Sequence, residues 1–247
     1  MNVRHFVGDQ AHPGTPEHDR GLAYGDGLFE TMRAHEGTVH WWPAHWRRLE
    51  RGARTLGFEL PSQDHVRHEA HALLGGARGV LKLIVTRGAG SRGYAPTEQP
   101  TPHWILSLHD LSPSPPTEGL HARWCDTRLA LQPRLAGIKH CNRLEQVLAR
   151  AEWRDPQIHE GLVRSAEGDV VSAPAANLFV LHADRWTTPA VARCGIAGVC
   201  REWAIDALGA REARLAVTEV EAADAVFLCN AARGILPLAR LGARVWR

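Results

Sequence analysis

The segment Leu111–Leu120, LSPSPPTEGL, most constrains the fold, because it cannot continue a helix or a central strand. It contains three prolines and two serines in ten residues. A proline inside a helix removes a backbone donor and clashes with the preceding turn, and inside a sheet it removes a ladder hydrogen bond. The segment therefore predicts a linker at 112–119 between an N-terminal domain, 1–111, and a C-terminal domain, 120–247.

Both halves of the chain mix strand and helix patterns. In the first half, strands are predicted over Leu28–Ala34, Thr38–Trp42, Val80–Arg87 and Trp104–His109, and helices over Pro43–Gly57 and Gln63–Leu74. In the second half, helices are predicted over Leu144–Trp153 and Gly198–Gly209, and strands over Gly161–Ser165, Asp169–Ser172, Asn177–His182, Arg214–Val220 and Ala225–Cys229. Because strands and helices do not alternate strictly, the pattern favours two α+β or mixed α/β domains, with a ligand in the cleft between them.

Charge and composition argue against several classes of partner. The 29 lysines and arginines nearly balance 27 acidic residues, so no electrostatic footprint for nucleic acid appears. No apolar run approaches the roughly 20 residues of a membrane helix, and the N-terminal sequence lacks the apolar core of a signal peptide. Five cysteines without CxxC spacing argue against a disulfide framework and a zinc site. We expect a cytoplasmic protein with a small-molecule substrate and neither nucleic acid nor membrane as partner.

Three histidines, His65, His68 and His71, lie at i, i+3 and i+6 in HVRHEAH. On a helix this spacing spreads the rings around the surface, unlike the i, i+4 pair of a helical metal site. A solvated helix face is the favoured interpretation, and we predict no metal site.

Lysine occurs only at Lys82 and Lys139, the other 27 of the 29 basic residues being arginine. Only lysine offers an amine that can lose its proton and form a Schiff base. Lys139 lies between a predicted strand and the start of a helix, where a reactive amine can reach a cleft. Lys82 lies inside the predicted strand VLKLIV. Lys139 is therefore the better candidate nucleophile, and a chance surface lysine is the alternative.

A glycine-rich turn, Gly195–Gly198, precedes a predicted helix. The first amides of that helix, those of Val199 and Cys200, are expected to point outward without helical acceptors and to form an anion site suited to phosphate. Two other turns, 24–27 (YGDG) and 229–232 (CNAA), are also candidates. Such turns more often serve chain reversal, so none of them identifies a ligand alone.

Taken together, ordered motifs carry a family resemblance that spans nearly the whole chain. They are YGDGLFETMR at 24–33, HWRRL at 45–49, RGAGSRGYAP at 87–96, LAGIKHCNRLEQVLAR at 135–150, APAANLFVL at 173–181, GIAGVCR at 195–201 and FLCNAARGILPL at 227–238. The set resembles the class IV pyridoxal-phosphate enzymes, which include branched-chain and D-amino-acid aminotransferases and aminodeoxychorismate lyases. The resemblance implies a two-domain fold of type IV, with pyridoxal 5′-phosphate bound in the interdomain cleft.

The resemblance also implies roles for individual residues. Lys139 matches the lysine that binds the cofactor covalently and moves protons. The residues expected at the cofactor phosphate are Arg48 of the HxxR pattern, Gly198, Val199, Cys200, Asn230 and Ala231. Tyr94 and Arg92 lie in the loop that reaches the substrate in this family, and Arg92 and Arg87 are expected to bind substrate carboxylates.

One position departs from the family pattern. Ser172 stands five residues before Asn177, where the family places a glutamate against the pyridine nitrogen. A carboxylate keeps that nitrogen protonated and the ring a strong electron sink, whereas a serine hydroxyl is neutral. We expect Ser172 and Asn177 at the cofactor. We also hypothesise that the change weakens transamination more than a lyase reaction that is driven by forming an aromatic ring.

Within the family, the sequences IKHCNRLEQVLAR and SRGYAP are most similar to the aminodeoxychorismate lyases. The expected reaction converts 4-amino-4-deoxychorismate to 4-aminobenzoate and pyruvate in folate biosynthesis. The alternatives are an aminotransferase of the branched-chain or D-amino-acid type and a family member that has lost its chemistry. The resemblance further implies a homodimer and a functional link to the aminodeoxychorismate synthase that makes the substrate.

Overall fold

A computed structural model describes residues 2–96 and 98–246, and the chain divides into two compact units. The first unit comprises Met1–Ser112 and Ile138–Asn142, and the second comprises Pro113–Gly137 and Arg143–Arg247. Ile138–Asn142, which contains Lys139, thus groups with the first unit, whereas the division by sequence assigns it to the C-terminal domain.

Over its described residues, the first unit is one antiparallel sheet with three helices. Its elements are β1 (Asn2–Val7), β2 (Gln10–His12), α1 (Arg20–Tyr24), β3 (Gly27–His35), β4 (Thr38–Val39), α2 (Trp42–Leu56), α3 (Gln63–Leu74), β5 (Gly79–Thr86) and β6 (His103–His109). The strands lie in the order β2-β1-β6-β5-β3-β4.

The alternation of side chains along β3 gives this sheet one buried face. Leu28, Met32 and Ala34 are buried on that face, and the residues between them are half-buried on the other. Helix α2 packs on β3 and buries Trp46 and Leu49. Burial of apolar side chains on both elements stabilises this arrangement by roughly 1.5–3 kcal/mol for each large side chain.

The predicted strand Thr38–Trp42 is shorter in the structure, where β4 ends at Val39. Trp41 adopts a left-handed backbone with φ of 55°, and α2 begins at Trp42 with a proline in its first turn. Proline at this position has no helical hydrogen bond to lose, so it favours starting the helix here.

Ile138–Asn142 lies along the beginning of β3. The Phe29 amide donates to the Lys139 carbonyl at 3.0 Å, and the Cys141 amide donates to the Gly27 carbonyl at 2.9 Å. An antiparallel bridge between Leu28 and His140 completes the pairing. The backbone of Lys139 is therefore fixed against the first unit's sheet.

The second unit is built around a larger sheet. Its elements are β7 (Leu120–Leu129), α4 (Leu144–Ala151), β8 (Glu160–Ser165), β9 (Val170–Ser172), β10 (Asn177–His182), β11 (Arg185–Pro189), α5 (Val199–Leu208), β12 (Arg211–Ala213), α6 (Val217–Glu221), β13 (Ala225–Asn230), β14 (Gly234–Leu241) and β15 (Arg244–Val245). The strands follow the order β12-β11-β10-β13-β14-β7-β8-β9, and β15 pairs with β14. The core includes the buried Leu162, Leu178, Leu228 and Leu236. Sheets and helices in both units confirm the mixed α/β prediction.

The predicted strand Arg214–Val220 is wrong. The strand in this region, β12, ends at Ala213, and Val217–Glu221 forms the short helix α6. The Glu219 carboxylate accepts a hydrogen bond from the Ala216 amide at 2.7 Å, which closes the first turn of the helix.

No helix in the described part of the chain combines the length and apolar character required to cross a membrane. Within the same residues, no cluster of three or more His, Cys, Asp or Glu side chains has the arrangement to hold a metal ion. His68 and His71 are exposed on α3, whereas His65 packs edge-on against Phe6 and Trp104.

Candidate active site

In the first unit, both lysines of the chain approach the ring of Phe29. The Lys139 Nζ lies 4.2 Å from the ring centroid, and the Lys82 Nζ lies 5.6 Å from it. Phe29 occupies the half-buried face of β3, opposite the face that α2 covers. Ammonium groups are attracted to an aromatic face at such distances, so Phe29 helps to orient both amines.

On the buried face of β3, Glu30 holds two side chains of the HxxR pattern. The Arg48 Nε donates to Glu30 Oε1 at 2.8 Å, and the Arg48 Nη2 donates to Oε2. His45 Nδ1 lies 2.6 Å from the same Oε2. Burial alone would raise the pKa of Glu30, but the charge of Arg48 and the hydrogen bonds from Arg48 and His45 outweigh it and lower the pKa to about 2.

The assignment of Arg48 to a cofactor phosphate stays a prediction, and the structure adds the carboxylate that orients its guanidinium. Sequence reasoning missed Glu30, although a signal was present. Glu30 alternates with Leu28 and Met32 in β3, so its side chain had to share their buried face. A carboxylate on a buried face requires a charged partner, and the HxxR arginine on the next helix supplies one.

Arg87, predicted to bind substrate carboxylates, is buried among protein partners. Its Nε donates to Asp26 Oδ2 at 2.8 Å, and its Nη1 and Nη2 donate to the carbonyls of Gly57 and Leu56, each at 2.7 Å. Burial opposes ionisation of Asp26, but the hydrogen bonds and charges of Arg87 and Arg20 prevail and lower its pKa. Arg87 therefore ties the end of β5 to the end of α2.

The loop that follows Arg87 presents the other two predicted substrate residues to solvent. Arg92 is exposed, and Tyr94 is 85% exposed. The Tyr94 ring lies 5.4 Å from that of Tyr24. Thr97, in the same loop, lies outside the described residues.

In the second unit, α5 begins at the predicted anion site. Gly198 is its N-cap residue, with φ of −69° and ψ of 143°, and no described side chain caps the helix there. A β-carbon on Gly198 would meet Asn177 Oδ1 at 2.1 Å, so only glycine fits against that side chain. The amides of Val199 and Cys200 therefore begin a helix whose N-terminus is suited to an anion.

Asn177 braces the turn that leads into α5. Its Nδ2 donates to the Ile196 carbonyl at 2.9 Å, and it begins β10 opposite Cys229 of β13. Asn177 thereby fixes the chain ahead of Gly198. Its predicted contact with the cofactor stays a prediction.

The remaining predicted cofactor residues of this unit, Asn230, Ala231 and Ser172, lie at the ends of strands that contact β10 or in the turn that follows. Asn230 ends β13, and its Nδ2 donates to the Ala175 carbonyl at 3.1 Å. Its Oδ1 accepts from the Arg233 amide at 2.8 Å, which closes the turn that contains Ala231. Ser172 is buried at the end of β9, with Val163 of β8 as its strand partner.

The chain is similar to known proteins over most of its length. A solved 4-amino-4-deoxychorismate lyase from Pseudomonas aeruginosa is 42% identical with a TM-score of 0.90, covering 98% of this chain and 93% of that chain. The aminodeoxychorismate lyase of Vibrio harveyi is 33% identical over an alignment of 239 positions, and the alignment covers 92% of this chain and 88% of that protein. A solved T.th. branched-chain amino acid aminotransferase, complexed with N-(5′-phosphopyridoxyl)-L-glutamate, is 18% identical with a TM-score of 0.82, covering 98% of this chain and 87% of that chain. This last likeness shows a common fold.

The family model for amino-transferase class IV matches residues 27–241. That range runs from the start of β3 to the end of β14 and includes every predicted cofactor residue. The chain belongs to the class IV aminotransferase family.

Proposed function

We propose that the protein is a pyridoxal-phosphate-dependent lyase that converts 4-amino-4-deoxychorismate to 4-aminobenzoate and pyruvate. The observation that carries the proposal is Lys139, which lies in the IKHCNRLEQVLAR motif and is fixed beside Phe29. The identity to two lyases over more than nine-tenths of the chain supports the choice of reaction.

The residues present fit the cofactor. The N-terminus of α5, with glycine as its N-cap residue, suits a phosphate dianion because helix amides and the helix dipole both favour negative charge there. Gly198 lets the Asn177 side chain lie against the start of the helix, because a β-carbon there would meet Asn177 Oδ1 at 2.1 Å. Arg48 offers a guanidinium already oriented by Glu30. Lys139 would bind the cofactor aldehyde, and the bound cofactor would supply an electron sink for the carbon bearing the substrate amine.

Lys139 is proposed to move the protons of the reaction. Its amine takes the proton from the ring carbon that bears the substrate amine. The bond between the ring and the enolpyruvyl oxygen then breaks, and the electrons left by the departing proton complete an aromatic ring. Lys139 or a water protonates the methylene carbon of the released enolpyruvate, which gives pyruvate. The Lys139 amine would then be free to hold the cofactor again once 4-aminobenzoate has left.

The substrate carries two carboxylates that require cationic or hydrogen-bonding partners. We propose Arg92 and Tyr94 for this role, because both side chains are exposed on their loop. Arg87 was an equal candidate by sequence. Its guanidinium already donates hydrogen bonds to Asp26 and to two backbone carbonyls, so we assign Arg87 a structural role and not a substrate-binding one.

Ser172 favours a lyase over an aminotransferase. Its neutral hydroxyl cannot replace a carboxylate as the partner of a protonated ring nitrogen. Transamination depends on a strong electron sink throughout, whereas the lyase reaction gains driving force from aromatisation. An aminotransferase is the second candidate because the family includes such enzymes, and transfer of an amino group to 2-oxoglutarate distinguishes it.

The test begins with the purified protein and added pyridoxal phosphate. We expect an absorbance band near the visible edge, reduction by borohydride to a stable adduct, and peptide mapping of that adduct to Lys139. Lys139→Ala should abolish the adduct, and Lys82→Arg should retain it. An adduct on Lys82 alone, or no adduct, would overturn the assignment of Lys139.

The product assay then decides the reaction. With 4-amino-4-deoxychorismate, we expect equal amounts of 4-aminobenzoate and pyruvate. Formation of glutamate from 2-oxoglutarate and a branched-chain or D-amino acid as amino donor, without 4-aminobenzoate from the lyase substrate, would establish the aminotransferase instead. An adduct on Lys139 without either product would indicate a family member that has lost its chemistry.

We further propose, on the family resemblance, that the protein acts as a homodimer in the cytoplasm. Its substrate would come from an aminodeoxychorismate synthase, and its product would enter folate biosynthesis. Sedimentation of the purified protein measures its oligomeric state directly.

A further inference from the structure

Arg20 is a buried arginine that the proposed chemistry does not use. It begins α1, and it is 4% exposed. Its Nη1 donates to the carbonyls of Gly93 at 3.1 Å and Ala95 at 3.2 Å, and its Nη2 donates to the Tyr94 carbonyl at 3.0 Å. One guanidinium thus holds three consecutive carbonyls of the loop that carries Arg92 and Tyr94.

The Nε donor of Arg20 fixes the guanidinium to Asp26, directly before β3. Its Nε donates to Asp26 Oδ2 at 2.9 Å, and Arg87 donates to the same oxygen at 2.8 Å. Arg87 in turn donates to the carbonyl of Gly57, at the end of α2. The carbonyls of the loop are therefore connected, through two arginines and one carboxylate, to the helix that carries Arg48.

Tyr24 provides a second anchor for the same loop. The Gly93 amide donates to the Tyr24 hydroxyl at 3.2 Å. The guanidinium of Arg20 lies 4.9 Å from the centroid of the Tyr24 ring. The centroid of the Tyr94 ring lies 5.4 Å from that of Tyr24. Both anchors come from α1, a short helix that the sequence places directly before β3.

We propose that Arg20, assisted by Tyr24, is a positioning residue that pre-organises the loop 91–95 for the substrate. The inference rests on the proposed function, because it takes Arg92 and Tyr94 as the substrate-binding side chains. Four hydrogen bonds join the side chains of these two residues to the backbone of the loop, and they set where the loop lies.

The geometry requires arginine. A guanidinium presents five donors in a rigid plane, and this one directs donors to a carboxylate and to three carbonyls at once. A lysine ammonium keeps the charge but has three donors on a flexible stem. Arg20→Lys should therefore keep the ion pair with Asp26 while releasing part of the loop.

The experiment measures backbone amide exchange and steady-state kinetics on the full-length protein loaded with pyridoxal phosphate. The variants are Arg20→Lys and Tyr24→Phe, and the control is Arg67→Lys, at an α3 side chain that is 65% exposed and pairs with Asp64. In both loop variants we expect the Gly93 amide, which donates to the Tyr24 hydroxyl, to exchange about 10-fold faster, a loss in the range of one hydrogen bond. The amides of α2 should exchange as in the wild type.

The kinetic constants distinguish a residue that positions the substrate loop from one that only stabilises the fold. The KM for 4-amino-4-deoxychorismate should rise about 10-fold in Arg20→Lys, with kcat within about 2-fold, because the loop contributes binding rather than proton transfer. Unchanged exchange in 91–95 in both variants would overturn the inference, as would a fall in kcat with an unchanged KM. If the wild type shows no lyase turnover, the proposed function fails, and the exchange measurement still decides whether Arg20 anchors the loop.

Discussion

At the scale of single residues, Glu30 is a buried carboxylate that orients Arg48, a predicted cofactor residue. It is 1% exposed and serves Arg48 and His45 together. Removing either charge from such a buried pair leaves the other without compensation, which typically costs about 3–5 kcal/mol. The carboxylate therefore both orients Arg48 and stabilises the packing of α2 on β3.

This pairing predicts a pH dependence of stability. The pKa of Glu30 is lowered from 4.5 to about 2 in the folded protein, so its contribution is complete above 4.5 and is lost as the pH falls toward about 2. Linkage places that contribution at about 3 kcal/mol. We expect the free energy of unfolding, measured by urea titration, to fall across this interval.

Glu30→Gln should flatten that dependence and lower the free energy of unfolding at pH 7 by about 3–5 kcal/mol. The control Glu36→Gln, at a side chain that is 80% exposed, should change it by less than about 0.5 kcal/mol. An unaltered acid dependence in Glu30→Gln would show that other carboxylates account for it.

At the scale of elements, the turn before α5 combines two functions. It brings the chain to the first residue of the helix, and its N-cap residue, Gly198, leaves the first helical amides without a side-chain cap from the described residues. Asn177 fixes the turn through the Ile196 carbonyl and fills the space beside Gly198. The predicted anion site therefore depends on close packing between the start of β10 and the start of α5.

Gly198→Ala tests this packing. The added β-carbon would meet Asn177 Oδ1 at 2.1 Å and displace the side chain that holds the turn. We expect the affinity for pyridoxal phosphate, measured by absorbance titration, to fall by a factor of at least about 10, equivalent to about 1.4 kcal/mol. Gly14→Ala, where a β-carbon has nothing within 4 Å, is the control and should bind normally. Equal affinity in the two variants would place the phosphate elsewhere.

At the scale of the whole molecule, the first unit is discontinuous in sequence. Ile138–Asn142 follows 25 residues of the second unit, Pro113–Gly137, and returns to pair with β3. The predicted linker, 112–119, begins at the boundary between the two units, but a cut there would separate the sheet of the first unit from the segment that carries Lys139.

A fragment of residues 1–112 should therefore be incomplete. Without the Lys139 carbonyl, the Phe29 amide loses its 3.0 Å hydrogen bond, and we expect its exchange to be at least about 10-fold faster than in the full chain. The amide of Leu83, in the centre of the sheet, serves as the internal reference. Equal protection of Phe29 in fragment and full chain would show that the first unit does not need the segment.

The sequence by itself determined the features that depend on neighbours along the chain. The predicted bounds of α3 and β10 match the structure. Apolar periodicity and the N-cap residue Ser62 determine α3, and a run of strand-forming residues determines β10. All of these signals act between residues a few positions apart. The ordered motifs likewise identified the family. The strand predicted over Arg214–Val220 failed because one capping interaction outweighed local strand propensity.

Only the tertiary structure decided which distant residues meet. Glu30 finds Arg48 because β3 and α2 pack, Arg20 reaches the carbonyls of 93–95 because α1 lies beside that loop, and Lys82 shares the Phe29 ring with Lys139 because of strand register. In each of these contacts the two residues are distant in sequence, and strand pairing and helix packing within the unit bring them together. A sequence pattern shows which face of an element is buried, whereas the partner on that face depends on how the elements assemble.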